Sequence, residues 1–253
     1  MQILVTNDDG VSAPGLLALA QSLRALGEVT ILAPDRNWSA SGHVKTMERP
    51  LRVRETRLAD GSPAYASDGA PSDCVALALL GLLPQKFDLV LSGINPNANV
   101  GHDVTYSGTV TAAMEAVIAG VPGIAVSLDS PPEHGPLDYR FAAESALRVA
   151  RRVVREGLPA GTLLNVNVPY LPASQIRGLM VTRQGLRVYR DELDRRVDPR
   201  GKPYYWIGGE VPSGVEEAGT DFGALKAGYV SITPLQLDLT AFDLLDKLQG
   251  EWE

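Results

Sequence analysis

The sequence holds one cysteine (Cys74), three histidines (His43, His102 and His134), four phenylalanines and three tryptophans in 253 residues. A single thiol excludes an internal disulfide framework and any multi-thiolate zinc or iron–sulfur site. Three imidazoles leave little material for a histidine-rich metal centre, so a bound metal must rest mainly on oxygen ligands. Long apolar runs are missing as well. The longest, Cys74 to Leu83, is about half the length that spans a bilayer. Positive charge is also short. Lys plus Arg number 23 against 30 for Asp plus Glu, a formal net charge of -7, so the general footprint of a duplex nucleic-acid binder is absent. No membrane partner and no stable duplex partner are expected. The chain opens directly on Ile3-Leu4-Val5 without a basic segment and apolar leader. No signal peptide is therefore expected, and with the lone thiol the expected compartment is the cytoplasm.

What is present alternates between two periodicities. Ile3-Leu4-Val5 is a short apolar run ending in the polar Thr6-Asn7-Asp8-Asp9-Gly10, as a buried strand does. Pro14 suits a first helical position and Gly27 a C′ position, with Leu16, Leu19, Leu23 and Leu26 at helical spacing between them. Strands are expected over Val29–Ala33, Phe87–Leu91, Gly123–Ser127, Leu163–Val168 and Leu179–Thr182. Helices are expected over Pro71–Leu83, Thr109–Ala119 and Arg140–Glu156. Strands alternating with helices imply an α/β fold: a Rossmann-like, doubly wound, mostly parallel sheet covered by helices on both faces.

The second half changes character after Thr182. Arg183 to Lys202 is dense in charge, Asp198-Pro199-Arg200-Gly201-Lys202 reads as a turn, and Tyr204-Tyr205-Trp206-Ile207 follows. This predicts a protruding hairpin, either a solvated excursion or an oligomer contact, since Tyr, Trp and Arg are interface-rich types. Thr240 with Asp243 fits a capping box for a last short helix. The expected organisation is one domain over 1–253, with its core in 1–182 and 213–237, a hairpin over 183–212 and a C-terminal oligomerisation segment over 238–253.

In an open parallel sheet, ligands bind beyond the C-terminal ends of the strands. Strand one ends in Asn7, Asp8 and Asp9. Strand two opens into Asp35-Arg36-Asn37-Trp38-Ser39-Ala40-Ser41-Gly42-His43. The Phe87–Leu91 strand opens into Ser92-Gly93-Ile94-Asn95, then Asn97, Asn99, His102 and Asp103. A lone Asp-Asp-Gly is ordinarily a turn. Two adjacent carboxylates at a strand end repel unless protons or a cation neutralise them, and two further polar loops on the same rim favour a hard cation such as Mg²⁺ or Mn²⁺. His43 and His102 lie in those loops as phosphate donors, proton shuttles or plain loop residues; His134 reads as plain loop. Ser107-Gly108-Thr109 opens a helix, where free N–H groups and the dipole attract a phosphate, although Ser and Thr also cap helices with no ligand at all. A cation beside a helix start that cradles an anion is a phosphoryl-transfer layout.

Neighbouring chemistries fail locally. The first strand is followed by Gly10 and Gly15 only, short of the G-x-G-x-x-G of a dinucleotide site. The D-x-D of phosphatases that form an aspartyl-phosphate is absent, because Asn7 stands two before Asp9 and Gly10 two after Asp8. No G-x-S-x-G elbow surrounds Ser39 or Ser41.

The motifs, in order, resemble those of the survival protein E (SurE) family. They are Thr6-Asn7-Asp8-Asp9-Gly10 with Ala13-Pro14-Gly15, Pro34-Asp35-Arg36-Asn37 with Ser39 and Ser41-Gly42, Ser92-Gly93-Ile94-Asn95, Tyr106-Ser107-Gly108-Thr109-Val110 with Glu115, Gly219-Thr220-Asp221, and Ser231-Ile232-Thr233-Pro234-Leu235. The chain departs from the family pattern at Asn97, where a glycine is usual, and at Ala70, where a threonine is usual. The resemblance implies a phosphomonoesterase dependent on one divalent ion per subunit (Mg²⁺ or Mn²⁺). Its substrates would be nucleoside 5′- and 3′-monophosphates, with polyphosphate a further candidate. Asp8, Asp9, Ser39 and Asn95 are implied as metal ligands. A homodimer or homotetramer built through the hairpin and the C-terminal segment is implied too. Asn7, Ser41, Gly42, His43, Asn97, His102, Ser107, Gly108 and Thr109 are the candidate phosphate- and substrate-binding residues. Asp9 is the candidate general base for water attacking in line. The competing expectation is a non-catalytic nucleotide-binding or stress-interaction module on the same fold.

Overall fold

The computed structural model describes residues 1–131, 135–209 and 212–252. His134 lies outside the described residues, as do positions 210, 211 and 253 of the hairpin and the C-terminal segment. In chain order the elements are β1 (Gln2–Thr6), α1 (Pro14–Leu23), β2 (Glu28–Pro34), β3 (Val53–Arg57), β4 (Pro63–Ser67), α2 (Pro71–Leu77), β5 (Leu89–Asn95), α3 (Gly108–Ile118), β6 (Gly123–Asp129) and α4 (Arg140–Glu156). Then follow β7 (Thr162–Pro169), β8 (Leu179–Val181), β9 (Arg187–Val188), β10 (Asp191–Val197), β11 (Pro203–Gly209), β12 (Ser213–Gly214), α5 (Asp221–Lys226), β13 (Val230–Gln236) and α6 (Phe242–Trp252).

Nine strands form one sheet in the order β3-β4-β2-β1-β5-β6-β7-β13-β8. From β4 to β7 every neighbour is parallel, while β3 and β13 run antiparallel to β4 and β7. β1 is covered on both faces, which is why it reads as an unbroken apolar run rather than an alternation. Ile3 and Val5 join Leu16, Leu19, Leu23, Ala146 and Val149 of α1 and α4. Leu4, pointing the other way, joins Cys74, Val75, Ala112 and Ala116 of α2 and α3. Each fully buried Leu or Ile here contributes roughly 1.5–3 kcal/mol of transfer free energy.

Several boundaries differ from the sequence expectation. Helix α1 ends at Leu23, three residues early, so Gly27 is not its C′ residue. A side chain at Gly27 would meet the Met1 carbonyl oxygen at 2.4 Å, and close approach is what requires glycine there. The expected helix Pro71–Leu83 stops being α-helical after Leu77 and runs into one wide turn over 78–82, where Gly81 takes φ 101°. Strand β5 continues through Ser92-Gly93-Ile94 to Asn95 instead of ending at Leu91. The antiparallel pair β3–β4 has no counterpart in the reading. β3 has no fully buried residue on either face, so its residues carry no apolar period.

The second half is tied back to the rim by one buried carboxylate. Asp221, at the start of α5, accepts from the backbone N–H of Gly101 at 2.8 Å and of Gly185 at 2.7 Å. Beyond it, β10 and β11 form an antiparallel hairpin closed by Asp198, whose Oδ1 accepts from the N–H of Arg200 and Lys202.

Candidate functional site

The strand ends β1, β5 and β6 and the loops after β2 and β5 meet in a cavity of about 950 Å³. Asp8 stands on its wall as the first residue but one beyond β1, 3% exposed. Its backbone oxygen accepts from Trp38 N–H at 2.7 Å, which joins the strand-one end to the loop after β2. Its carboxylate is gripped by α3: Thr109 donates its hydroxyl to Oδ1 at 2.6 Å and its N–H to Oδ2 at 3.2 Å. A side chain at Gly108 would meet the Asp8 Cβ at 2.8 Å, so glycine lets the first turn of α3 close on the carboxylate. Ser107 caps that turn by accepting from Val110 N–H at 3.1 Å.

Burial pushes the Asp8 carboxyl above its ordinary range, against the opposing pull of the Thr109 hydrogen bonds. Asp9 is pushed up to about 7, first by burial and then by the Asp8 charge beside it. Among the described residues no Lys, Arg or His ion-pairs with either carboxylate. With no basic side chain to offset it the ionised pair is disfavoured, and a cation would relieve that in place of protons. Among the described residues no three His, Cys, Asp or Glu side chains cluster as a metal site. Any cation must therefore complete its shell from hydroxyl and amide oxygens, which are hard donors of the Mg²⁺ and Mn²⁺ kind. Those donors are present: Ser39 and Asn95 share the cavity wall with Asp8. Asn95 donates its Nδ2 to the Asn97 carbonyl at 2.5 Å, which commits the amide NH₂ and leaves Oδ1 as the free end. The donor set fits a hard divalent ion.

The other candidate residues divide clearly. Asn97 and Ser107 line the cavity. Ser41 Oγ is buried without a hydrogen-bond partner and lies beside the first turn of α3. Gly42 bridges from its N–H to the Tyr106 carbonyl at 2.9 Å. Asn7 is spent on the turn itself, with Oδ1 accepting from Gly10 N–H at 3.2 Å and Nδ2 donating to the Gly10 carbonyl at 3.0 Å. Thr109 is spent on Asp8. His43 turns away from the cavity to Glu115, Nε2 to Oε2 at 3.0 Å. His102 is exposed on a 3₁₀ turn over 101–105 and does not line the cavity.

The far wall carries residues that the motifs did not point to. Arg187 donates to Asp103 Oδ2 at 2.8 Å, and Tyr189 Oη donates to Asp103 Oδ1. The Arg187 guanidinium lies 5.8 Å from the centre of the Phe222 ring, with Lys226 Nζ 5.1 Å from it. Asp129 closes this side, its carboxyl raised by burial and lowered by Lys226 and Arg187. Asp129 was findable: it ends β6, two residues beyond the expected end of that strand. Arg187, Phe222 and Lys226 are delivered by β9 and α5 and leave no local mark in the sequence.

Both departures from the motif pattern are benign in the structure. Among the described residues Ala40 alone, outside the glycines, has positive φ, so Asn97 carries no left-handed strain. Ala70 is the N-cap residue of α2, away from the cavity wall, and Asp73 Oδ2 accepts from its N–H at 2.9 Å.

Fold and site together define an α/β protein of the doubly wound class that presents a carboxylate pair and a helix start at one strand rim. The family model described as Survival protein SurE matches residues 3–191, and the chain belongs to that family. A protein named 5′-nucleotidase SurE from Herpetosiphon aurantiacus is 55% identical over 248 residues, 98% of this chain and 97% of the relative. One named 5′-nucleotidase SurE 1 from Thermus thermophilus is 52% identical over 254 residues, 99% of this chain and 97% of the relative. The crystal structure of the SurE protein from Aquifex aeolicus superposes with a TM-score of 0.83 at 40% identity, covering 100% of both chains. The resemblance and the α/β expectation are borne out.

Proposed function

We propose that the chain is a divalent-metal-dependent nucleotidase, a phosphomonoesterase that releases phosphate from nucleoside 5′- and 3′-monophosphates. Asp8, which shares the cavity wall with Ser39, Asn95 and Ser107 at the α3 start and has the Asp9 carboxylate beside it, carries this reading. The relatives named 5′-nucleotidase at 55% and 52% identity support the reaction class.

Asp8, Asp9, Ser39 and Asn95 are the residues that would hold one Mg²⁺ or Mn²⁺ per subunit. Such an ion, when bound, supplies Lewis-acid polarisation of a phosphoryl oxygen and a lowered pKa for water. Thr109 keeps Asp8 aimed at the cavity through its two hydrogen bonds. The α3 start and the unpartnered Ser41 hydroxyl offer donors to the phosphoryl oxygens, as helix starts do for anions. Asp9 takes the proton of the attacking water. Asn97 and the far wall, with Tyr106, Tyr170 and Phe222, surround the leaving nucleoside. Among the described residues no helix is long and apolar enough to cross a membrane. The exposed apolar residues of β11 and α6 support a homo-oligomer built through both.

Phosphate release from nucleoside monophosphates, with Mg²⁺ or Mn²⁺ against excess chelator, tests the reading. Turnover that stops in chelator is expected. Nucleotide-dependent thermal stabilisation without turnover would establish the non-catalytic binding module instead.

A further inference from the structure

The loop that carries Ser39 and Ser41 holds itself by short-range bonds, Ser39 N–H to Asn37 Oδ1 at 2.7 Å and Ser41 N–H to the Trp38 carbonyl at 3.2 Å, and none of these fixes it relative to Asp8. Ser39 and Ala40 are exposed, and Ala40 takes φ 56°, a left-handed conformation that a residue with a Cβ keeps only where its surroundings impose it. The loop backbone is anchored at Trp38 to the Asp8 carbonyl and at Gly42 to the Tyr106 carbonyl, and α3 adds side-chain contacts. Thr111 Oγ1 stands 3.0 Å from the Gly42 carbonyl and shares its one proton between it and the Ser107 carbonyl at 2.9 Å. One turn further on, Glu115, only 8% exposed, receives two donors from the same loop: His43 Nε2 at 3.0 Å on Oε2 and Lys45 Nζ at 3.2 Å on Oε1. A carboxylate only accepts, so the facing His43 nitrogen carries the proton. The first turn of the same helix fixes Asp8 through Thr109. One rigid element thus grips both halves of the rim, its N-terminal turn holding Asp8 and its third turn holding the loop that presents Ser39.

We propose that Glu115 is a positioning residue: by clamping His43 and Lys45 it sets the loop 39–45, and with it Ser39 and Ser41, in register with Asp8. This rests on the metal-site reading given above. It also assigns His43 a role beside phosphate donor or proton shuttle, since its Nε2 is spent on the clamp. Outer groups that orient metal ligands typically govern affinity by about 10- to 100-fold when removed.

The test uses the full chain, with calorimetric titration of Mn²⁺ alongside steady-state kinetics that separate kcat from KM. Glu115→Gln is expected to weaken Mn²⁺ binding by about 10- to 100-fold while the cooperative thermal transition is kept. His43→Ala is expected to weaken it in the same direction, and His43→Gln, which retains a donor toward Glu115, to recover most of the loss. The double variant Glu115→Ala with His43→Ala should bind no more weakly than Glu115→Ala alone, because alanine at 115 leaves His43 no acceptor. If Glu115→Gln fails to fold, the two His43 variants, on a partly exposed loop, carry the test. Mn²⁺ binding equal to wild type in His43→Ala and in any folded Glu115→Gln would overturn the clamp and leave the metal site standing. Absence of Mn²⁺ binding in the wild type would overturn both.

Discussion

The strand rim and the β10–β11 hairpin treat polarity in opposite ways. At the rim, polar groups are buried: Asn7, Asp8 and Thr109 are all 3% exposed or less, each bonded to a named partner. On the hairpin, apolar groups are exposed, Trp206 at 62% and Ile207 at 82%, with Leu239 at 92% before α6 and Phe242 at 61% at its start. Buried polar groups are costly unless satisfied, so they persist where chemistry needs them. Contiguous exposed apolar side chains are costly in water, so they persist where another surface covers them. On the proposed reading, the rim serves a small charged ligand and the hairpin with α6 serves another chain.

The comparison breaks most sharply at Asp8. Asp8→Asn keeps the shape and the Thr109 contact region but removes half of the carboxylate pair. The expected loss of metal-dependent phosphate release exceeds the about 10- to 100-fold typical of an outer-shell partner, with an unchanged far-ultraviolet circular dichroism spectrum. Next comes the hairpin. Replacing residues 191–209 by a short turn, which spares Tyr189 and its bond to Asp103, should lower the assembly mass in multi-angle light scattering. An unchanged mass would leave the exposed face of β11 without its assigned partner.

The smallest effect is on stability, and its sign follows from Asp9. In chelator the folded protein holds the Asp9 proton up to about pH 7, whereas the unfolded chain gives it up near the ordinary 3.8. The folded state binds more protons across that window, so its stability falls as pH rises from about 4 to about 7. Asp9→Asn has no such proton. Its melting temperature in chelator should fall less over that window than that of the wild type, as scanning calorimetry would read.

How much of this could be read in the sequence depends on whether a feature is local. Strand β1 and its Asp8–Asp9 end were legible because an apolar run breaking into polar residues is a local pattern, and helix α4 because its period is long and regular. The motif resemblance located Ser39 and Asn95 on the same rim. The roles of Asn7, His43 and Thr109 were not legible. Each is a residue type that binds phosphate elsewhere, and only the fold shows its donors already committed to Gly10, Glu115 and Asp8. The hairpin base and α5 bring Arg187, Phe222 and Lys226 to the cavity from more than ninety positions beyond Asn95 in the numbering, a placement no local spacing encodes.

Calorimetric titration of Mn²⁺ into the chelator-stripped wild type and into Asp8→Asn tests the central claim, that the uncompensated carboxylate pair at the end of β1 is a divalent-cation site. One ion per chain binding to the wild type, with binding lost in the variant, is the predicted result. Equal binding to both proteins, or none to the wild type, would contradict it.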